Sequence, residues 1–374
     1  MAQTYFASIQ PGLEQALFRE IRRLGGKRPS LVHGGVEFDA ARKTLYAAHL
    51  HLSTPTRIWL RVDEFRARDA PELYNKTRRY GWERLLGAEH RVAIRAHSSK
   101  SNLYHTEKIT DAVRDGLRDH FADDLCHESP PTFGEEGDEG AQLLMARIHD
   151  NRCQLSLDAS GALLHRRGWR TEAGPAPLRE SIAAAMLELI DWSPEFGLID
   201  PMCGSATIAI EAARRALNYP PGLDRSFSFQ SWRNFQHHRF QEMKDEAKAR
   251  IRSELPAPIV GRDRDPGTIA LATRNAARAS VGAALRLEVA DLADAPITED
   301  LRWIVTNPPY GERLQEEGII ESLLSAWRCG TRERQIAFLW PTARRDVVEG
   351  ADDALGRLTS FKNGGLAVDL WTSA

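Results

Sequence analysis

The feature that most constrains this fold is the alternation of short apolar strands and helical segments from Leu178 onward. The strand-like stretches are GLID, PIVGRD, LRLEVAD, WIVTN and RQIAFLW, and helical patterns separate most of them. Strands that alternate with helices form a parallel, doubly wound α/β sheet. The final stretch, RLTSFKNGGLAVDLW, has two strand-like runs around Asn363–Gly364, which predicts an antiparallel hairpin at the end of the sheet. We therefore predict one α/β domain over residues 178–374.

Acidic residues stand at the ends of three of these strands: Asp200, Asp263 and Asp291. The carboxyl ends of parallel strands share one edge of a sheet, where α/β proteins bind ligands. Asp263 is placed to accept hydrogen bonds from two ribose hydroxyls, and Asp291 to meet an adenine amino group. Each acid taken alone could equally cap a helix, and Asp265 before Pro266 fits a helix N-cap better than a ligand contact. The three strand ends together favour a bound adenosyl nucleoside.

The turn after the first of these strands, in DPMCGSAT, contains Gly204 and Ser205 and leads directly into a helix. Small turn residues allow backbone N–H groups to approach a ligand, and a helix N-terminus favours a carboxylate. The turn matches neither GxGxxG nor GxxxxGK[ST], so it indicates neither a dinucleotide site nor a P-loop. A plain strand–helix turn is the alternative for this stretch by itself.

The stretch IVTNPPYGERL, Ile304–Leu314, ends a strand on an amide, two prolines and an aromatic ring. Proline cannot donate to a strand ladder, so the prolines end the pairing and form a rigid turn. The carboxamide oxygen of Asn307 and the carbonyl of Pro308 can then converge on one NH₂ group, and Tyr310 offers a face on which a planar base can stack. This combination suits an exocyclic amine of a heterocycle. A strand-ending loop with a capping asparagine is the alternative.

The N-terminal half has a different pattern. Residues 1–56 contain strand-like, helical and strand-like runs in the manner of a small ferredoxin-like α+β unit. Residues 57–158 predict a second α+β unit that ends in a hairpin with its turn at Asp150–Asn151. Residues 159–177, which are basic and contain glycine and proline, predict a linker.

Charge is concentrated in one part of this chain. The whole protein carries a formal charge of −2, which does not by itself indicate a nucleic-acid-binding protein. The segment Arg57–Lys108, however, has twelve Lys and Arg residues against seven acids, a net charge of +5. Arginines alternate with Tyr80, Trp82 and Trp169, a pattern that suits phosphate contacts and base stacking in RNA. The alternative is a solvated helix face with buried tryptophans, in which Trp169 packs the linker onto the catalytic domain.

The motifs DPMCGSAT, GRDRD and NPPYGERL, in this order and spacing, resemble those of class I S-adenosylmethionine-dependent methyltransferases. The stretch SLDASGALLHRRGWR, followed by APLRESIAAAML, resembles the THUMP-domain RNA methyltransferases, and the bacterial guanine-N2 methyltransferases of 23S rRNA among them. This resemblance implies a Rossmann-like seven-stranded methyltransferase domain preceded by an α+β ferredoxin-like and THUMP region. It also implies a structured RNA as the partner, with rRNA expected and tRNA possible.

The resemblance also implies roles for individual residues. It places Asp200, Gly204 and Ser205 at the methionine end of S-adenosylmethionine, Asp263 at the ribose and Asp291 at the adenine, and it gives Asn307, Pro308 and Tyr310 the task of holding the target base. Direct methyl transfer needs neither a metal nor a covalent nucleophile, so we interpret Cys203 as a small buried turn residue. The family usually has a second glycine where this chain has Ala206, and alanine is tolerable there if its φ is negative.

Several alternatives are compatible with these motifs. NPPY is shared by amino methyltransferases that act on adenine N6, guanine N2 and glutamine amides, so a tRNA guanine-N2 enzyme and an adenine-N6 enzyme stay open. A non-catalytic RNA-binding or ribosome assembly factor is a further alternative. The presence of Asp263, Asn307 and Tyr310 argues against it, because a site that had lost its activity would be expected to have lost one of them. Four cysteines without a CxxC pair, no signal peptide and no membrane span lead us to expect a cytoplasmic protein without a membrane partner.

Overall fold

The computed structural model describes residues 2–122, 129–170, 178–293, 296–309, 318–329 and 333–373. The elements of its N-terminal half are β1 (Gln3–Ser8), α1 (Glu14–Leu24), β2 (Lys27–Val32), β3 (Gly35–Ala40), α2 (Arg42–His51), β4 (Arg57–Arg66), α3 (Ala70–Arg79), β5 (Arg91–Ser99), α4 (Thr106–Ala122), β6 (Thr132–Gly134), β7 (Gln142–His149) and β8 (Arg152–Asp158).

The eight strands described in this half form one continuous sheet in the order β2-β3-β1-β4-β8-β7-β5-β6. Strand β4 joins the two predicted units, because it pairs with β1 through Leu60 and Tyr5 and with β8 through Leu60 and Leu157. The predicted boundary between residues 56 and 57 therefore falls at the start of a strand that both units share. The hairpin turn at Asp150–Asn151 is confirmed, and both turn residues have positive φ.

Two elements of this half were not expected from the sequence. Strand β2 contains Pro29 and no alternation of apolar residues, which is compatible with its position at the edge of the sheet. Asp69 caps helix α3, because its carboxylate accepts a hydrogen bond from the N–H of Glu72 at 2.8 Å. The helix packs against α4, which in turn contacts β5 of the sheet.

The C-terminal half contains α5 (Glu180–Leu189), β9 (Leu198–Asp200), α6 (Thr207–Ala216), α7 (His237–Ala249), β10 (Ile259–Asp263), α8 (Pro266–Arg278), β11 (Arg286–Val289), β12 (Trp303–Thr306), α9 (Ile319–Arg328), β13 (Gln335–Pro341), α10 (Arg345–Glu349), β14 (Leu355–Asn363) and β15 (Leu366–Ser373). Its seven described strands have the order β11-β10-β9-β12-β13-β15-β14. Strands β9 to β13 are parallel, and β15 is antiparallel to both its neighbours. The predicted Rossmann-like fold with a closing hairpin is confirmed, with Gly364 and Gly365 as the turn.

Buried polar contacts join the two halves. The carboxylate of Glu188 in α5 accepts two hydrogen bonds of 2.6 Å from Arg23 in α1, and Arg215 lies 3.3 Å from it. His49 in α2 is 2% exposed; its Nδ1 donates to the carbonyl of Leu45 and its Nε2 accepts from the hydroxyl of Ser160, both at 3.0 Å. These contacts fix the N-terminal sheet against the catalytic half.

The structure corrects part of the predicted RNA surface. Trp82 is fully buried, and its indole N–H donates to the carbonyl of Thr77 at 2.7 Å. Trp169 is 2% exposed. Neither ring therefore offers a stacking face, and the alternative of buried tryptophans is the correct one. Tyr80 is only half-buried, so part of its ring is accessible. Five arginines of the basic segment also face acids, in the pairs Arg57–Asp158, Arg61–Glu37, Arg84–Glu83, Arg91–Asp138 and Arg95–Glu136.

We predict that His49 makes stability depend on pH. Burial lowers the pKa of His49 to about 3, whereas the unfolded chain has a His pKa of about 6.5. Between these values the unfolded state binds the proton and the folded state does not, so stability falls as pH falls, by about 1.4 kcal/mol per pH unit. From pH 7 to pH 5 the loss from this residue is about 2 kcal/mol.

Urea unfolding at several pH values tests this prediction, with His49→Gln as the comparison. The variant should be less stable than the wild type at pH 7, and the difference should shrink as the pH falls to 5. Parallel curves for the two proteins between pH 7 and pH 5 would contradict the prediction.

Candidate functional site

The acids predicted from the strand ends do meet at one edge of the seven-stranded sheet. Strand β9 ends at Asp200, which is in register with Gly261 of β10, and Asp263 stands two residues further along β10. The backbone N–H of Ala290, just after β11, donates to the carbonyl of Asp263 at 3.1 Å, which brings Asp291 to the same edge. Asn307 directly follows β12, the other neighbour of β9.

Asp200 is buried, with 2% of its surface exposed. Its Oδ1 accepts a hydrogen bond of 2.7 Å from the hydroxyl of Thr306 and one of 3.3 Å from the N–H of Met202. Burial raises the pKa of Asp200 to about 7, and the nearby charge of Asp263 acts in the same direction. Asp200 therefore holds the turn after β9 against the end of β12.

The turn after β9 is fixed by backbone hydrogen bonds. The N–H of Cys203 donates to the carbonyl of Arg262 at 2.8 Å, and the N–H of Gly204 donates to Oδ2 of Asp263 at 3.1 Å. Gly204 has a φ of 52°, and no atom lies within 4 Å of the position that its missing Cβ would take. Ser205 is buried, and its hydroxyl lies 3.4 Å from that of Thr207. The turn thus leaves open space beside Gly204.

Ala206 does not have the negative φ that would make alanine easy to accommodate. Its φ is +61°, in the left-handed region. Its N–H donates to the carbonyl of Cys203 at 2.8 Å, and its methyl group is buried. The side chain therefore adds apolar contact at a position where the backbone favours glycine.

The two aspartates near β10 have different partners. Asp265 is exposed and caps α8 by accepting hydrogen bonds from the N–H groups of Gly267 and Thr268 at 3.1 and 3.0 Å, as predicted. The Thr268 hydroxyl and these two N–H groups hold the pKa of Asp265 below its usual range. Asp263 is half-buried and turns its carboxylate toward the Gly204 turn.

The residues after β12 include an unsatisfied buried acceptor. The carboxamide oxygen of Asn307 is buried and has no hydrogen-bond partner among the described residues. Pro308 is buried beside it. Tyr310 lies outside the described residues, so its stacking role stays a prediction. An orphaned amide oxygen next to a sheet edge that binds ligands indicates a donor that arrives with a ligand.

Two other types of chemistry find little support here. Burial, with the charges of Asp200 and Asp263, raises the pKa of the Cys203 thiol well above its usual range, so the thiol stays protonated and is a poor nucleophile. Within the described ranges, no group of three or more His, Cys, Asp and Glu residues is arranged to hold a metal ion.

Across the same ranges, every helix is too short or too polar to cross a bilayer.

Sequence reasoning missed three contributors to this site. Thr306 is a strand residue that binds Asp200, and Asn275 is a buried residue of α8 whose Nδ2 donates to the carbonyl of Ser205 at 3.4 Å. Arg170 donates from Nη2 to the hydroxyl of Thr207 at 2.6 Å. The signal for Thr306 and Asn275 was a polar residue at a position that the strand or helix buries, whereas Arg170 lies in the basic linker, where its neighbours gave no sign of this contact.

The fold and the order of these strand ends define the class I methyltransferase fold. Three family models match the chain: "RlmL ferredoxin-like domain" over residues 4–59, "THUMP domain" over 67–130 and "RMKL-like, methyltransferase domain" over 167–333. The Synechocystis sp. protein named "Putative RNA methyltransferase slr0064" is 33% identical over 316 residues, which cover 84% of this chain and 81% of that protein. The chain belongs to this family of THUMP-domain methyltransferases and is an enzyme of that class.

Other relatives extend the comparison. The Methylococcus capsulatus "Ribosomal RNA large subunit methyltransferase K/L" is 36% identical over 340 residues, which cover 88% of this chain but 44% of that protein, so the chain spans less than half of it. The crystal structure of SMU.472 complexed with SAH has a TM-score of 0.86 at 26% identity, covering 100% of this chain and 98% of that one. A Listeria monocytogenes structure described as a predicted N6-adenine-specific DNA methylase has a TM-score of 0.84 at 28% identity, covering 99% and 96%.

The geometry of Ala206 leads to a stability prediction. Ala206→Gly relieves a left-handed backbone cost of about 1 kcal/mol and removes a buried methyl group worth about 0.8 kcal/mol, so the free energy of unfolding should change by less than about 1 kcal/mol. The matched control is Ala209→Gly in α6, where the methyl group is equally buried. It should lose about 2 kcal/mol, because helix propensity adds to the loss. Equal losses in urea unfolding would contradict this account of Ala206.

Proposed function

We propose that this protein transfers a methyl group from S-adenosylmethionine to the exocyclic N2 amine of a guanine in large-subunit ribosomal RNA. S-adenosylmethionine is the cofactor of the methyltransferase class to which the chain belongs. The observation that carries the proposal is the buried carboxamide oxygen of Asn307 at the sheet edge, which has no hydrogen-bond partner in the described part of the chain. The THUMP match and the names of the ribosomal RNA methyltransferase relatives support RNA as the substrate.

The residues at the sheet edge fit this cofactor. The open space beside Gly204 leaves room for a ligand against the turn. We assign Asp200, Gly204 and Ser205 to the methionine end, with Asp200 acting through the turn that it holds. The half-buried Asp263 would accept from the ribose hydroxyls, and Asp291, half-exposed after β11, would accept from the adenine amine.

The reaction then depends mainly on position. When bound, S-adenosylmethionine supplies an electrophilic methyl group on a sulfonium centre. Asn307 Oδ1 and the carbonyl of Pro308 accept the two hydrogens of the target amine, which turns the nitrogen lone pair toward that methyl group. Tyr310 is assigned to stack on the base. Because the methyl donor is already activated, holding the two reactants in line provides most of the rate acceleration.

Adenine N6 is the second candidate target. Asn307 and Pro308 would hold an adenine amine in the same way, and the Listeria relative at 28% identity is described as adenine-specific. A tRNA guanine is a further alternative that uses the same residues. Mass spectrometry of nucleosides from RNA methylated by the purified protein separates these products. N2-methylguanosine in rRNA supports the proposal, and N6-methyladenosine as the sole product refutes the guanine assignment.

The role of Asp263 predicts a loss of cofactor affinity. Asp263→Ala should weaken the binding of S-adenosylmethionine by about 1–3 kcal/mol, the scale of lost hydrogen bonds to a charged group. The control is Asp265→Ala, which removes a neighbouring carboxylate that caps α8. The control should lose some stability, because α8 loses its N-cap, but keep its affinity. Calorimetry that gives the folded Asp263 variant a wild-type affinity would remove this residue from the site.

The role of Asn307 predicts a loss of rate and not of cofactor affinity. Asn307→Ala should lower the single-turnover methylation rate by about two orders of magnitude, because a preorganised acceptor is lost. Asn307→Asp keeps an acceptor oxygen and should be clearly faster than Asn307→Ala. If Asn307→Ala methylates RNA at the wild-type rate, the residue does not hold the amine.

A further inference from the structure

The segment that leaves β8, the start of α5 and the chain between α6 and α7 contribute a group of cations that the catalytic site does not use. We call His165, Arg166, Arg167, Arg179 and Arg225 the linker cluster. Arg166 and Arg179 are exposed, whereas Arg167 is buried. The cluster lies outside the sheet edge that holds the strand-end acids.

Backbone carbonyl groups hold two of these cations in place. The carbonyl oxygen of Leu164 accepts hydrogen bonds from Nη1 of Arg167 at 2.7 Å and from Nη1 of Arg225 at 2.6 Å. Nη2 of Arg225 also donates to the carbonyls of Ala162 and Leu163, at 3.2 and 3.1 Å. Two guanidinium groups therefore meet at one oxygen, immediately before His165, and their positions are fixed before any ligand arrives.

The acids near the cluster do not balance its charge. Glu211 lies 3.5 Å from Nε of Arg167 and is buried with it. Arg166 and Arg179 form no ion pair with any carboxylate in the part of the chain that the structure describes. Nδ1 of His165 is buried and likewise has no hydrogen-bond partner among these residues. The two exposed arginines and the orphaned imidazole nitrogen thus remain for an external anion.

The pKa shifts of His165 and Arg225 agree with the close approach of positive charges in the linker cluster. Burial, together with the charges of Arg179, Arg166, Arg167 and Arg225, lowers the pKa of His165 to about 4. Burial, with the charge of Arg167, also lowers the pKa of Arg225 to about 10. Positive charges that are held close together in a partly desolvated site raise the free energy of the protein, and a bound anion lowers it again.

The segment that carries His165, Arg166 and Arg167 runs on to the turn assigned to the cofactor. Arg170, at the end of this segment, donates to the hydroxyl of Thr207 at 2.6 Å, and Thr207 begins α6 directly after Ser205 and Ala206. At its other end the segment is anchored to the N-terminal sheet, where the N–H of Ile58 donates to Ser160 at 2.8 Å. These three residues therefore lie, along the chain, between the THUMP half and that turn.

We infer that the linker cluster binds a phosphodiester group of the RNA substrate, with Arg166 and Arg179 as the phosphate contacts. The inference rests on the proposed RNA function and names a site for that substrate. Arg167 and Arg225 act as positioning residues, because their guanidinium groups are already bound to backbone carbonyls. A phosphate held here would position the RNA strand without reading its sequence.

The salt dependence of RNA binding tests this inference. In vitro transcripts of large-subunit ribosomal RNA serve as the probe, and fluorescence anisotropy gives the affinity over a series of salt concentrations. Arg166→Ala and Arg179→Ala should each reduce the slope of log K against log salt by about one unit, because one fewer counterion is released. Arg166→Lys should keep the slope. Calorimetry should give both alanine variants a wild-type affinity for S-adenosylmethionine.

The control variant is Arg239→Ala on α7, which removes an exposed arginine outside the cluster and should leave the slope unchanged. Folded alanine variants of Arg166 and Arg179 with the wild-type slope, from a wild type that does methylate RNA, would overturn the phosphate site alone. A wild-type protein that neither binds nor methylates any RNA would overturn the proposed function and this inference together. A slope that falls equally in Arg239→Ala would refute a local site.

Discussion

The hydrogen bond from the hydroxyl of Thr306 to the buried carboxylate of Asp200 is the contact on which the arrangement of the site depends. It joins the ends of β9 and β12, adjacent parallel strands at the centre of the sheet. Asp200 also binds the N–H of Met202 in the turn that contains Gly204, while Thr306 directly precedes Asn307. One buried carboxyl group thus sets the distance between the turn assigned to the cofactor and the acceptor assigned to the amine. Because burial raises the pKa of Asp200 to about 7, both neighbours must stay in place to stabilise its charged form.

The sequence predicted the fold and the strand-end residues because their signals are local. A short apolar run that ends in Asp263 predicts a strand. Asp265 and Pro266, which follow it directly, predict the start of a helix. The same local reasoning did not predict β2, an edge strand that contains Pro29, and it did not predict that the φ of Ala206 is positive. A left-handed alanine has no sequence signature, since neighbouring turn contacts impose its backbone conformation.

The sequence did not predict contacts between segments that lie far apart along the chain. Thr306 is one polar residue in an apolar strand, and only the pairing of β12 with β9 gives it Asp200 as a partner. Trp82 lies among arginines in the sequence, yet its ring is buried and its N–H is bound to Thr77. Residue type predicted stacking on RNA, but burial depends on how α3 and α4 pack over the sheet, which no local pattern reveals.

The rigid junction between the halves sets a condition on the substrate. Glu188 is buried and lies between Arg23 and Arg215, whose side chains are partly exposed. Because an unpaired buried carboxylate is costly, these contacts favour one relative orientation of the two halves. His49 and Ser160 fix the start of the linker in the same way. Under the proposed function, a paired guanine must leave its helix to reach Asn307, because the carboxamide oxygen of Asn307 is buried at the sheet edge. Extruding a base costs a few kcal/mol. Under the proposed function, contacts of the THUMP half and the linker cluster with the RNA backbone offset that cost, because they form away from the base and do not depend on its identity.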